Sequence, residues 1–138
     1  MAQTYRDLVI WQRAVAWATD VYRVSVKFPK EELYALTSQV RRAVVSIASN
    51  IAEGHGRINE AEFRHFLGIA RGSLREAETQ LIIARNLGFL SDAQTEPLLN
   101  EAEQIGKMIT SFITSISTKE PSPKISKTRS SKLVASSS

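Results

Sequence analysis

Arginine is the residue type in this chain whose number and spacing best fit a chemical task. Arg57, Arg64, Arg71 and Arg85 are spaced by multiples of seven residues, and Glu78 occupies the position in the repeat between the last two. Arg75 follows Arg71 by four residues and lies on the same predicted helix face. Guanidinium groups match the oxygens of phosphate, so this row is typical of a nucleic-acid-binding surface. With an adjacent pair earlier in the chain, the candidate nucleic-acid-binding residues are Arg41, Arg42, Arg57, Arg64, Arg71, Arg75 and Arg85.

The same arginines have an electrostatic alternative that involves no ligand. The predicted helix that carries most of them also contains Glu60, Glu62, Glu76 and Glu78, which leave it formally neutral. Arg75 and Glu78 are three residues apart, a spacing at which side chains pair on a helix. Rows of charge on helices often belong to solvated faces or to contacts between subunits. The sequence leaves open whether the row binds nucleic acid or forms ion pairs.

The remaining polar residues offer no visible apparatus for catalysis. Glu62 and His65 form a single Glu-x-x-His pair, whereas metal sites in helical bundles combine this motif with a second copy. The chain has no cysteine and no glycine-rich phosphate loop or catalytic triad. For Asn50, Glu53 and Glu76 we favour structural pairing between helices, such as Glu76 with Arg41 or Arg42, over a ligand-binding role. We therefore predict no catalytic residue, no metal, no cofactor and no enzymatic activity.

The segment from Ser38 to Gly54 predicts the helix that presents the arginine pair. Its apolar positions are spaced by four, three and four residues and form one stripe, made of Val40, Val44, Ile47 and Ile51. Arg41 and Arg42 lie off this stripe on the predicted outer surface. We expect the helix to end between Gly54 and Gly56, where glycine adopts a left-handed cap.

The first predicted helix, from about Asp7 to Lys27, has a wider apolar face than one core normally needs. One stripe consists of Trp11, Val15, Ala18 and Tyr22, and its neighbour consists of Ile10, Ala14, Trp17, Val21 and Val24. Either the helix is buried throughout, or the stripe that contains Trp17 contacts another subunit. Pro29 ends this helix, because a residue that precedes proline disfavours the helical conformation.

Two further helices follow. Asn59 and Glu62 form a capping-box arrangement that begins the third helix, and Gly88 ends it after roughly 28 residues, or about 42 Å. Gly68 and Gly72 within it predict close helix packing or local bending, since each costs about 1 kcal/mol relative to alanine. Ser91 caps the fourth helix, whose apolar residues from 98 to 116 alternate by four and three.

Helical periodicity accounts for the whole folded part of the chain, since no alternating run or Asn-Gly turn predicts a strand. Four amphipathic helices joined by short connections predict an all-α fold, an antiparallel up-down-up-down four-helix bundle.

The charge distribution separates a domain from a tail. Residues 1–118 contain thirteen basic and thirteen acidic residues, whereas residues 119–138 contain five basic residues and one acidic residue. The second segment is rich in serine and lysine, so we predict a folded domain at 1–118 and a disordered basic tail at 119–138. Within the domain, residues 1–57 have a net charge of +3 and residues 58–118 have −3. A domain with one basic and one acidic half could bind a nucleic acid or a second copy of the same chain.

Targeting signals are missing from the sequence. No apolar run approaches the ~18 residues of a membrane span, and charged residues interrupt the N-terminal segment. We expect a cytoplasmic protein without a membrane partner.

Several segments resemble the signatures of a known family. The residues from Ser38 to Ala43 and from Ser49 to Gly54 match one signature, and those from Gly72 to Leu81 and from Ala84 to Leu90 match another. On these residues, and on the early segment from Leu8 to Ala14, the chain resembles the four-helix-bundle proteins encoded in intervening sequences of bacterial large-subunit ribosomal RNA. The resemblance covers about residues 5–118.

The resemblance implies a ring of antiparallel four-helix bundles, a homopentamer. The accessory proteins of diversity-generating retroelements, a related group, share this architecture and bind nucleic acid and a reverse transcriptase through basic surfaces. Where the family often has proline before the Ser-Asn pair, this chain has Ala48, which predicts a straighter second helix.

Two functions of different classes follow. The first is a non-enzymatic, ring-forming module that binds RNA or DNA through the arginines of the second and third helices, aided by the tail. The second is a protein-interaction scaffold that docks a partner protein, such as a reverse transcriptase, on the ring without touching nucleic acid. The wide apolar face of the first helix favours the second function.

Overall fold

The computed structural model describes residues 4–119, and within them the chain is helical. The α-helices are α1 (Val9–Ser25), α2 (Leu36–His55), α3 (Glu60–Asn86) and α4 (Asp92–Lys119), with short 3₁₀ turns at Tyr5–Asp7 and Lys30–Glu32. No strand occurs in this part of the chain, which confirms the all-α prediction. The predicted tail at 119–138 lies outside the described residues apart from Lys119, the last residue of α4.

Each helix packs against two neighbours, in the cyclic order α1, α2, α3, α4 and back to α1. Neighbours run in opposite directions. Arg13 of α1 contacts Glu101 of α4, while Trp17, one turn later, contacts the earlier residue Leu98. The same reversal holds between α2 and α3 and between α3 and α4. The helices of residues 4–119 therefore pack as an antiparallel four-helix bundle.

Trp17 is the largest fully buried side chain of the described residues, with 1% of its surface exposed. Its indole Nε1 donates a hydrogen bond of 2.9 Å to the carbonyl oxygen of Leu98, so the one polar atom of the ring is satisfied inside the core. The stripe that contains Trp17 therefore belongs to the core, which decides between the two alternatives that the sequence left open for it. The neighbouring stripe is the one left at the surface, with Trp11 and Ala18 half-buried and Val15 and Tyr22 exposed.

The predicted starts of α3 and α4 are confirmed by their caps. The side chain of Asn59 accepts the Glu62 N–H at 2.8 Å. Ser91 and Gln94 form a reciprocal box, in which Ser91 Oγ accepts the Gln94 N–H at 3.1 Å and Gln94 Oε1 accepts the Ser91 N–H at 2.9 Å. Gly88, which follows α3, has φ of 81°, a conformation that favours glycine.

Gly54 has a different role from the predicted one. No left-handed cap ends α2, because Gly56 has φ of −82° and Gly88 is the one positive-φ residue in the described part of the chain. Gly54 is instead buried within α2, where a Cβ atom would lie 2.7 Å from Cβ of Phe66 and 2.9 Å from the ring of Phe63. The missing side chain is what lets α2 and α3 approach at this level.

The close packing predicted at Gly68 and Gly72 is not found. A Cβ atom added at either position would meet no atom within 4 Å, so both glycines face open space on α3. α2 is an uninterrupted helix of 20 residues through Ala48, in agreement with the absence of proline there.

We expect Gly54→Ala to lower the free energy of unfolding by about 1–3 kcal/mol, because the new methyl group forces α2 and α3 apart. Gly72→Ala is the matched control. It adds the same methyl group to open space and is expected to raise stability by up to about 1 kcal/mol through helix propensity. Urea denaturation measures both changes, and equal effects of the two substitutions would contradict the close α2–α3 contact.

We expect Trp17→Phe to destabilise the fold by about 1–3 kcal/mol, since it leaves a void and removes the donor to the Leu98 carbonyl. Trp11→Phe makes the same chemical change at a half-buried position and is expected to cost less than about 1 kcal/mol. Thermal and urea unfolding at one protein concentration compare the two variants. A larger loss at Trp11 would argue against the assignment of the core stripe.

Candidate nucleic-acid interface

Arg41 and Arg42 lie near the start of α2, on the side that packs against α1. Arg41 Nε donates a hydrogen bond of 2.8 Å to Ser25 Oγ, and its guanidinium carbon lies 4.9 Å from the ring centroid of Tyr22. Arg42 is exposed. The helix rotates both side chains away from the core because Val40 and Val44 on either side of them are completely buried.

The arginines of α3 face a different part of the molecule. Arg71 donates to Thr110 Oγ1 at 3.2 Å, and the guanidinium of Arg75 lies beside Gly106, so this row borders α4. Arg64 and Arg85 are half-buried one and two heptads from Arg71 on the same row. Arg41 contacts α1, whereas Arg71 and Arg75 border α4, which lies on the opposite side of the α2–α3 pair. That the seven arginines together bind nucleic acid stays a prediction.

Two of the candidate arginines are occupied by carboxylates. Arg57 pairs with Glu53 at 2.8 Å and lies 4.8 Å from the ring centroid of Phe66, and Arg75 pairs with Glu78 at 3.1 Å. The second pair is the i,i+3 contact that the sequence left open as the alternative to nucleic-acid binding. Both contacts are at the surface, where such pairs contribute little to stability.

The polar residues of the two signatures are structural only in part. Asn50 Nδ2 donates to the Ser46 carbonyl at 2.8 Å and to Ser46 Oγ at 2.9 Å, and Ser46 Oγ lies 2.9 Å from Ser73 Oγ of α3. This chain of hydrogen bonds joins the two signature segments. Glu76 is exposed, and its predicted pairing with Arg41 or Arg42 is not formed.

A surface groove of about 460 Å³ surrounds the Arg41–Arg42 pair where α2 begins. Its lining combines two arginines, two tyrosines, two hydroxyl residues and one leucine, and includes no acidic residue. We call it the tyrosine–arginine groove, and its residues are Tyr22, Leu33, Tyr34, Thr37, Ser38, Arg41 and Arg42. The sequence analysis found the arginines but missed both tyrosines, because only the fold brings the turn before α2 and the end of α1 to the same place.

A second, apolar groove of about 620 Å³ runs between α1 and α2. We call it the α1–α2 groove. The exposed stripe of α1 forms one wall, and small residues of α2, Ala48, Ser49 and Ala52, form the floor. Tyr5 closes one end with an edge contact to Trp11 at a centroid distance of 5.1 Å. Tyr22 lines both grooves.

Arg13 is a cation that the sequence analysis did not place, and it ties α1 to α4. Its guanidinium forms two hydrogen bonds to the Glu101 carboxylate, at 2.8 and 2.6 Å. This hydrogen bonding and the negative charge of Glu101 raise the pKa of Arg13 above its usual value. Like every arginine, it is charged at physiological pH, and each of its three guanidinium nitrogens already donates one hydrogen bond within the chain, to Glu101 or to Met108 Sδ.

The described residues contain neither a cluster of metal-ligating side chains nor a membrane-spanning helix. No three His, Asp or Glu side chains of residues 4–119 lie together as a metal site, and His65 contacts the ring of Phe66 at a centroid distance of 5.5 Å. None of the helices in this range combines the length and the apolar composition needed to cross a lipid bilayer.

The four packed helices of residues 4–119 define a small all-α bundle protein. Its sequence matches the family described as 23S rRNA-intervening sequence protein over residues 6–111. The chain belongs to this family, which confirms the resemblance found in the signature segments. Comparison with curated proteins gives no significant match.

A solved structure has a similar fold. It is the 1.70 Å crystal structure of a protein with unknown function from the S23 ribosomal protein family of Bacteroides thetaiotaomicron VPI-5482. The match has a TM-score of 0.69 at 24% sequence identity and covers 76% of this chain and 98% of that chain. At this identity the likeness concerns the fold alone, and it supports the arrangement of the four helices.

Proposed function

We propose that this protein is a non-enzymatic, oligomeric module that binds RNA or DNA, with Arg41 and Arg42 as its main phosphate contacts. One observation carries the proposal. Within residues 4–119, these two guanidinium groups line one groove and neither has a carboxylate partner, whereas Arg13, Arg57 and Arg75 each have one. An arginine that is not neutralised inside the chain retains its donors and its charge for phosphate oxygens.

The surroundings of Arg41 support this use. Ser25 Oγ accepts a hydrogen bond from Arg41 Nε, and the Tyr22 ring packs against the guanidinium group. These contacts leave the two terminal nitrogens of Arg41 to other acceptors. A side chain held in one position loses less conformational entropy when it binds. The net charge of +3 on residues 1–57 adds a favourable long-range field.

Charge reversal tests the proposal. Arg41→Glu with Arg42→Glu is expected to weaken binding to structured RNA and duplex DNA at least tenfold, since two phosphate contacts become repulsive. Arg57→Glu with Arg75→Glu changes the net charge equally but alters arginines that are already paired, so we expect less than about a threefold loss. Gel-shift titrations across a salt series measure both variants.

Three results would contradict the proposal. The first is wild-type protein that fails to bind at low salt. The second is an equal loss in both double variants, which would place the contact elsewhere or reduce it to net charge. The third is a wild-type affinity that does not fall as salt rises, because phosphate contacts release counterions.

For the oligomer, we propose a homopentameric ring in which the α1–α2 groove is a subunit interface. The groove leaves an apolar stripe of α1 uncovered, and exposed apolar patches mark contact sites. The first two helices belong to the basic half of the domain and the last two to the acidic half. Opposite charge on opposite halves favours head-to-tail contacts, which form a ring when the rotation between subunits closes.

Val15→Glu is expected to dissociate the ring without unfolding the chain, because Val15 is 36% exposed in the α1–α2 groove. Val26→Glu is the matched control at a site that is 72% exposed and outside the groove. Light scattering of the wild type should give about five times the chain mass of 15.4 kDa, and circular dichroism reports whether each variant is folded. A wild-type monomer would refute the ring.

A further inference from the structure

Tyr34 is the most exposed aromatic residue of the described part of the chain, with 93% of its surface accessible. It lies in the turn between the 3₁₀ segment Lys30–Glu32 and α2. Hydrogen bonds brace this turn, since Ala35 N–H donates to the Glu32 carbonyl at 2.9 Å and Leu36 N–H donates to Glu32 Oε1 at 3.3 Å. A large aromatic ring is thus held in water on a fixed turn, at the edge of the tyrosine–arginine groove.

The first turn of α2 completes the groove. Thr37 and Ser38 both line it, although only 3% of the surface of Thr37 is exposed. The Glu32 carboxylate already accepts the Leu36 N–H at this end of the helix, so the positive charge of the groove comes from Arg41 and Arg42.

We propose that the tyrosine–arginine groove binds one unpaired nucleotide of a single strand. The base stacks on the Tyr34 ring, and the adjoining phosphate contacts Arg42 and Arg41 beside the first turn of α2. This inference rests on the proposed nucleic-acid binding and specifies the form of nucleic acid that the site selects.

Stacking distinguishes a single strand from other polyanions. A free phosphate, an acidic peptide or a duplex backbone would use the arginines but not an exposed aromatic ring. In a duplex, neighbouring base pairs cover both faces of each base, so only an unpaired base offers a face to a side chain. Aromatic side chains interleaved with cations are the usual means by which proteins hold single strands.

The test compares single-stranded RNA of about ten nucleotides with a duplex of the same sequence, by fluorescence anisotropy on the full chain. We expect the wild type to favour the single strand and Tyr34→Ala to weaken that binding by about 5- to 100-fold, the effect of losing one base–aromatic stack. Tyr34→Phe keeps the ring and should retain affinity within about twofold. Ile58→Ala, which removes a fully exposed apolar side chain in the α2–α3 connection, is the control and should change nothing.

The outcomes separate this inference from the proposed function. Equal binding of single strand and duplex, or an unchanged single-strand affinity in Tyr34→Ala, overturns nucleotide stacking while salt-dependent nucleic-acid binding stands. Competition by inorganic phosphate as effective as that by the unlabelled strand also overturns it, because the site would then recognise the anion alone. Absence of any binding to either probe at low salt overturns the proposed function itself.

Discussion

Burial of one aliphatic stripe on α2 fixes the rotation of that helix, and the arrangement of the site depends on it. Val40, Val44, Ile47 and Ile51 are completely buried between α1 and α3. Rotating α2 enough to hide Arg41 or Arg42 would expose this stripe, at a cost of about 1.5–3 kcal/mol for each large apolar side chain brought into water. The arginine pair therefore remains outside the core, beside the end of α1.

Pairing divides the cations of this protein into two classes. Arg13, Arg57 and Arg75 contact carboxylates within the chain, and these contacts connect helices or cover helix faces. Arg41 instead rests on an aromatic ring and a hydroxyl group, and Arg42 is exposed. Since the domain is formally neutral over residues 1–118, net charge says little about ligand binding. What matters is which guanidinium groups are left without a negative partner.

Tyr22 connects the two surfaces to which we assign functions, because it lines both the α1–α2 groove and the tyrosine–arginine groove. If the α1–α2 groove is a subunit interface, assembly buries one side of the Tyr22 side chain and restrains the aromatic ring that contacts Arg41. The oligomer would also present one tyrosine–arginine groove from each subunit around its circumference. Several weak contacts to one strand then add up, as multivalent binding requires.

Apolar periodicity determined the helices, and the caps at Asn59 and Ser91 determined where two of them begin. These features are local, because side chains three and four residues apart share a face whatever else surrounds them. The sequence also predicted the family, through the signature segments within residues 38–54 and 72–90 and the early segment at 8–14. The sequence could not rank the seven candidate arginines, because every guanidinium group matches phosphate oxygens equally well.

Tertiary structure decided which stripe of α1 is core, what Gly54 does and how the arginines are distributed. Each of these depends on the neighbour that a helix face meets, and sequence spacing carries no information about that neighbour. Two equally apolar stripes on α1 became distinguishable only when Trp17 met the Leu98 carbonyl. Likewise, Tyr34 and Arg42 share a groove because α1 and α2 pack as an antiparallel pair joined by a braced turn. Periodicity places a residue on its own helix, whereas packing between helices decides what stands opposite it.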